Sequence, residues 1–416
     1  MTSIASPDNT PSPAPESSSP GSAPPPSARW PFSTVVAGFI TVLVGVVSSG
    51  AIVLQAANAA GADARTFGGW MGVLGLAMGL SSCVLSWRYR APVVTAWSTP
   101  GAALLAVSLP GHSMGEAIGA FLFSSFLITL CGMTGWFERI MNRIPLPLAS
   151  AMLAGILVHF GISVFSVLPS QPLLVGAMLL VYLLCKRALP RYAILATLLV
   201  GTAIAWQQHT LRLDLPGLTF GVAHPVFVMP QWHWATIVGI GLPLFIVTMA
   251  SQNVPGVSAL RAAGYRDVPV SPAITWTGIL GLVLAPFGCF AVNLAAISAA
   301  ICQSAEAHPD PAQRYKASFA AGVFYLVVGL FGATVATIFA VFPPALIAAL
   351  AGIALFSTIG SALAGAMQSD VAREPALLTF LVTASGVTIG GIGSALWGVA
   401  AGGLAWWILV KRPRTA

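Results

Sequence analysis

Apolar runs recur along the whole chain, and fourteen can be counted between 31–57 and 392–410. Helical spans of a bilayer about 30 Å thick need roughly 17–25 such residues each. Only 7% of the 416 residues are charged, and the mean hydropathy is +0.88. A soluble chain of this length could not stay dispersed with so few charges. The pattern predicts an all-α polytopic membrane protein.

Basic residues test the span count, because cytoplasmic loops are enriched in Lys and Arg. Fourteen spans with the N-terminus inside place all of the 18 Lys and Arg except Arg65 and Arg212 on the cytoplasmic side, 16 against 2. A missed span would scramble that separation, so both termini are expected to be cytoplasmic. The net charge of +7 therefore reports topology, and no basic patch with interleaved aromatics points to nucleic acid. Residues 1–29, rich in Pro and Ser, read as a disordered cytoplasmic tail. The stretch 207–233 reads as an extracytoplasmic connecting loop, and 411–416 as a second cytoplasmic tail. The five cysteines fall within predicted spans, and no metal-ligand spacing or nucleotide fingerprint appears. No cofactor, no metal and no enzymatic chemistry are expected.

An internal repeat is visible. "WMGVLGLAMGLSSC" at 70–83 lies over "WTGILGLVLAPFGC" at 276–289, with a constant offset of 206. The rare residues Trp and Cys match at both ends. Seven spans per unit is an odd number, so the halves, 30–206 and 234–410, must insert with opposite orientation. Inverted repeats with substrate at their interface are a common design of secondary transporters.

The third span of each half is interrupted. In "APVVTAWSTPGAALLAVSLPG" (91–111), Ala91–Trp97 suits an extended segment, and Ser98, Thr99 and Pro100 read as a helix start. In "FGCFAVNLAAISAAICQ" (287–303), Phe287–Val292 can be extended, and Asn293 reads as the N-cap of a Leu294–Gln303 helix. Each remaining helix is about 15 Å long, half a bilayer. In inverted repeats the two half-helices, segments 3 and 10, would meet N-terminus to N-terminus at the midplane. Two such ends offset about one negative charge. That predicts a monoanion site without a basic side chain. The carboxylate is expected against backbone N–H groups of Thr99, Gly101 and Ala102 and of Leu294 and Ala295. Ser98 and Asn293 would lie nearby, with an aromatic ring against Phe290 and Pro100. The amides Gln252 and Asn253, just before Pro255, fall deep in an apolar span and join the candidate site.

Three stretches carry a family resemblance: "TAWSTPGAALL" (95–105), "ASQNVPGVSALRAAGY" (250–265) and "PFGCFAVNLAAISAAICQ" (286–303). With them the chain resembles the benzoate/proton symporter (BenE-type) family, and more distantly nucleobase permeases and sulfate-type anion transporters. The resemblance implies uptake of benzoate or a similar aromatic carboxylate with a proton across the bacterial inner membrane. It also implies a core domain (about 30–137 and 234–338) moving against a gate domain (about 147–206 and 342–410), and a homodimer. Where the nucleobase branch carries glutamates, this chain reads Gln252-Asn253 and Val292-Asn293. Amides can donate to a carboxylate that a glutamate would repel, which favours an anion over a nucleobase. Another organic anion, a nucleobase, or an anion channel of the same fold remain the alternatives. His159, within the fifth span, and Glu116, at the start of the fourth, are the candidates for proton coupling.

Overall fold

A computed structural model of the chain describes residues 30–135, 145–211 and 221–411. The predicted tail 1–29, all of the tail 411–416 except Lys411, the basic loop around Arg139 and Arg143, and Arg212 lie outside the described residues. From Pro31 onward the chain forms one compact unit.

The first half contributes α1 (Phe32–Ala59), α2 (Ala64–Tyr89), β1 (Thr95–Trp97), α3 (Thr99–Ser108) and α4 (Met114–Met133). It continues with α5 (Leu146–Val167), α6 (Pro172–Ala188) and α7 (Ala193–Gln207). The second half opens with α8 (Trp234–Ala262) and α9 (Val270–Leu284), followed by β2 (Val292–Leu294) and the short α10 (Ala299–Gln303). It closes with α11 (Tyr315–Leu330), α12 (Gly332–Val341), α13 (Pro344–Met367), α14 (Arg373–Ala384) and α15 (Ser394–Trp406). Among the described residues, seven helices are long and apolar enough to cross a membrane, or eight if α11 and α12 count as one bent span.

Glycine sets how closely the long helices approach. A Cβ on Gly75 of α2 would lie 2.5 Å from the Cα of Gly329 in α11. The residues 206 positions later behave alike: Gly278 and Gly281 of α9 face Thr129 and Ser125 of α4. The matched segments of the sequence repeat thus use matched glycines to pack α2 on α11 and α9 on α4. Backbones this close gain dispersion contacts that a lipid-solvated interface needs, since apolar burial offers little there.

Two features depart from a simple span reading. The apolar stretch 315–338 is bent by 70° where α11 gives way to α12. Phe331 leaves helical geometry there, and Gly332 packs against the Gly68 carbonyl of α2, where no side chain would fit. α8 carries two π-turns, Ile237–Gly241 and Met249–Asn253, each followed after one residue by proline, Pro243 and Pro255. Proline lacks the amide hydrogen and crowds the carbonyl four residues back, so the helix widens upstream of each.

The connection before α8 is a strap. Ala223 N donates to Leu330 O, Val228 N to Pro286 O and Gln231 N to Gly115 O, at 2.8–2.9 Å. Residues 221–233 therefore tie α11, the end of α9 and α4 together.

Candidate functional site

β1 and β2 pair antiparallel, with Ala96 opposite Asn293. Short extended segments buried in a membrane protein are stable only when their backbone groups pair within the protein, and here the interrupted segments satisfy each other. Ser98 N reaches Ala291 O at 3.2 Å, and Ala295 N reaches Val94 O at 2.9 Å, extending the ladder at both ends.

α3 begins where the sequence places a cap. Ser98 is extended, its Oγ accepts from Gly101 N at 3.1 Å, and Pro100 occupies the first turn. Thr248 Oγ1 of α8 also donates to Ser98 Oγ at 3.0 Å, so the cap is braced from the other half. Ser98→Ala is expected to cost about 1 kcal/mol of stability. Thermal unfolding of the purified variant checks this.

The second half differs from expectation. Asn293 is not an N-cap: it sits in the middle of β2, and the helix starts only at Ala299. Pairing with β1 draws Val292–Leu294 into a strand, and the helix is five residues shorter at its start than the sequence suggests. Phe287 ends a 3-10 turn instead of opening an extended segment, and Gly288 takes the left-handed conformation with φ +100°. The expected donors at this end are already used. Leu294 N donates to Asn253 Oδ1 at 3.0 Å and Ala295 N to Val94 O. On the first half, Gly101 N and Ala102 N are likewise engaged, by Ser98 Oγ and Ser98 O. Those four amides already have acceptors within the protein, and Thr99 N stands at the N-terminus of α3 with the helix field behind it.

A cavity of about 130 Å³ lies between the two interrupted segments. Thr99 and Pro100 line it from α3, and Ala295–Ser298 from the stretch that leads into α10. α1 contributes Val44, Gly45, Ser48 and Ser49, and α13 contributes Ala354, Leu355 and Thr358. Trp97 closes one wall, its Nε1 donating to Ser49 Oγ at 2.7 Å. Ala96, Tyr325 and Gln252 complete the lining, which among the described residues holds no Asp, Glu, Lys, Arg or His. A small ligand would find an apolar wall beside hydroxyls, one amide and a helix start, the usual makeup of a small-molecule site.

Of the predicted residues, Thr99, Pro100, Gln252 and Ala295 reach this cavity. Ser98, Gly101, Ala102, Asn253, Asn293 and Leu294 are buried behind it. Asn293 Nδ2 makes a long contact, 3.5 Å, to Gln252 Oε1, and a second of 3.1 Å to Leu294 O. Engaging the Gln252 oxygen leaves its Nε2 donors for a ligand. Asn253 braces β2 through Leu294 N and donates to Met249 Sδ. Phe290 points away, fully buried against Trp70 and Phe121. Sequence reading missed the α1 and α13 walls, since Ser48, Ser49 and Thr358 carry no local signal beyond a hydroxyl in an apolar run. His159 of α5 and Glu116 of α4 stand apart from this cavity.

The benzoate membrane transport protein (BenE) family profile matches residues 28–408. The chain is 50% identical over 379 residues to the inner membrane protein YdcO of Escherichia coli (strain K12), covering 91% of this chain and 96% of that protein. It is 37% identical over 382 residues to the benzoate membrane transport protein of Acinetobacter baylyi, covering 92% and 96%. Among solved structures, the transmembrane domain of the cyanobacterial bicarbonate transporter BicA aligns with TM-score 0.55 at 12% identity, over 89% of this chain and 97% of that one. Murine Slc26a9, an anion transporter in the inward-facing state, aligns with TM-score 0.60 at 14% identity, over 92% and 69%. At such identities the likeness is one of fold.

Proposed function

The chain belongs to the benzoate membrane transport protein family, and from that premise we propose that it imports benzoate, or a similar aromatic carboxylate, with a proton by alternating access. The family is one of membrane transporters, not enzymes. The observation that carries the reading is the central cavity: uncharged, small, and placed where both interrupted segments face each other. A substrate with one anionic end and one dry ring suits it. The carboxylate would take Gln252 Nε2 and the Thr99 end of α3, and the ring would lie on Pro100 and Ala295. Ser98, Gly101, Ala102, Asn253, Asn293 and Leu294 act from behind, holding the cap and the strand pair.

Fourteen spans in two inverted repeats of seven remain the reading of the topology, with both termini cytoplasmic. The matched glycine packing of α2 on α11 and α9 on α4 supports it. Movement of the core domain (about 30–137 and 234–338) against the gate domain (about 147–206 and 342–410) would open the cavity, which borders both α1 and α13, to one side at a time.

Uptake of labelled benzoate into proteoliposomes tests the proposal. Neutral benzoic acid crosses lipid unaided, so protein-free vesicles set the baseline. Saturable uptake above that baseline, rising with an inward proton gradient, is expected. Flux that never saturates and ignores the gradient would make the protein a channel and overturn the reading.

A further inference from the structure

A second polar cluster lies where the connection between α3 and α4 meets the start of α8. His112 Nδ1 is 2.9 Å from Glu116 Oε2, one turn further along the chain. The buried Thr236 donates its hydroxyl to Glu116 Oε2 at 3.4 Å. The same hydroxyl lies 3.2 Å from His112 Nδ1 and 3.3 Å from His233 Nδ1. One carboxylate and two imidazoles thus share a single hydroxyl. The side chains of His112 and Glu116 each keep 23% exposure, so water reaches the pair.

A separate cavity of about 120 Å³ starts at this cluster. Its walls are the C-terminal end of α3 (Leu104, Val107, Ser108), His112, His159 of α5, and residues between 383 and 395. Among the described residues, His112 and His159 are its only titratable lining groups; α3, α8, α14 and α15 contribute none. The groups packed behind His112 are Glu116 from α4 and His233 from the segment before α8.

We propose that this cavity is the proton-binding site of the transporter, with His112 taking up the proton and His159 facing it. The inference rests on the transport reading and deepens it by naming where coupling occurs. Three observations support it. Among the described residues, the central cavity offers only Tyr325 as a titratable lining group, and a phenol does not ordinarily titrate near neutral pH. Imidazole is the side chain that changes charge between pH 5 and 8. Finally, α3 borders both cavities, Thr99 and Pro100 at one end and Ser108 at the other, about 13 Å apart.

The chemistry balances without a further reactant. With Nδ1–H donating to Glu116, Nε2 of His112 holds the free lone pair, and a proton added there gives an imidazolium paired with the carboxylate. His112 is itself held just past the C-terminus of α3, where its backbone N donates to Leu109 O at 2.9 Å.

The test is the number of protons taken up per benzoate bound, from calorimetry in two buffers of different ionisation enthalpy between pH 6 and 8. Wild type is expected to take up about one proton, and His112→Gln and Glu116→Gln to take up few or none while binding heat remains measurable. His159→Gln is expected to move the pH at which uptake is half complete. Unchanged proton uptake in His112→Gln overturns the site. Absence of benzoate binding in wild type would be a failure of the transport reading instead. In that case ligand-free unfolding midpoints between pH 5 and 8 still decide: a wild-type pH step missing from His112→Gln supports the site, and an identical step in both proteins overturns it.

Discussion

Gln252→Glu will weaken benzoate binding at pH 7 by about 10²–10³-fold while the protein still folds and inserts. The substituted carboxylate stands on the wall of the central cavity, where the amide offers its Nε2 donors. Two like charges about 4 Å apart at an effective dielectric near 20 repel by roughly 4 kcal/mol, and each 1.4 kcal/mol is tenfold in affinity. The sign with pH follows. Acidification neutralises the introduced carboxylate, removes the repulsion and restores part of the affinity. Gln252→Ala removes one donor without adding charge and should cost about tenfold. Asn293→Asp is a different experiment: that residue is fully buried and reaches a ligand only through Gln252, so a carboxylate there should first destabilise the fold. Titration calorimetry across pH 5–8 reads these outcomes, and wild-type affinity in Gln252→Glu would remove this residue from the site.

The second large effect concerns Gly288. Replacing it with alanine is expected to abolish recovery of folded, monodisperse protein. The backbone there has φ +100°, which costs an L-residue about 1–2 kcal/mol. The added Cβ would also overlap the Trp70 indole, a buried ring packed on Phe121 and Phe290. The indole has little room to give way, because Trp70 is buried within the main apolar cluster. Gly61 is the control. It too has positive φ, +80°, but nothing lies within 4 Å of its Cβ position. Gly61→Ala should therefore lower stability by about 1 kcal/mol and leave yield intact. Size-exclusion profiles and unfolding midpoints of both variants measure the contrast.

Much of this arrangement is legible in the sequence, because its causes are local. Serine before Thr-Pro specifies a capped helix start, and α3 begins at Thr99. Pro255 after an apolar run marks the distortion that exposes Gln252 to the cavity. The Gly spacing shared by 70–83 and 276–289 foretells close helix pairs, although not which helices they meet. What stayed hidden depends on partners far along the chain. Asn293 has a cap's side chain, and only the presence of β1 explains why it joins a strand. Phe290 looks like a ring for stacking on an aromatic ligand until Trp70 and Phe121 are seen to enclose it. The wall supplied by α13 comes from the other end of the chain, through small residues that carry no signal. The His112–Glu116–Thr236 cluster is half visible: Glu116 stands out as a carboxylate at a helix start, whereas its partners come from a loop and from α8.

A structure determined with benzoate bound tests the central claim most directly. The carboxylate is expected within hydrogen-bond reach of Gln252 Nε2 and of the Thr99 end of α3, about 2.7–3.2 Å from a donor, with the ring against Pro100 and Ala295. Ligand lying more than about 6 Å from both Gln252 and the start of α3, beyond any direct hydrogen bond, would contradict it.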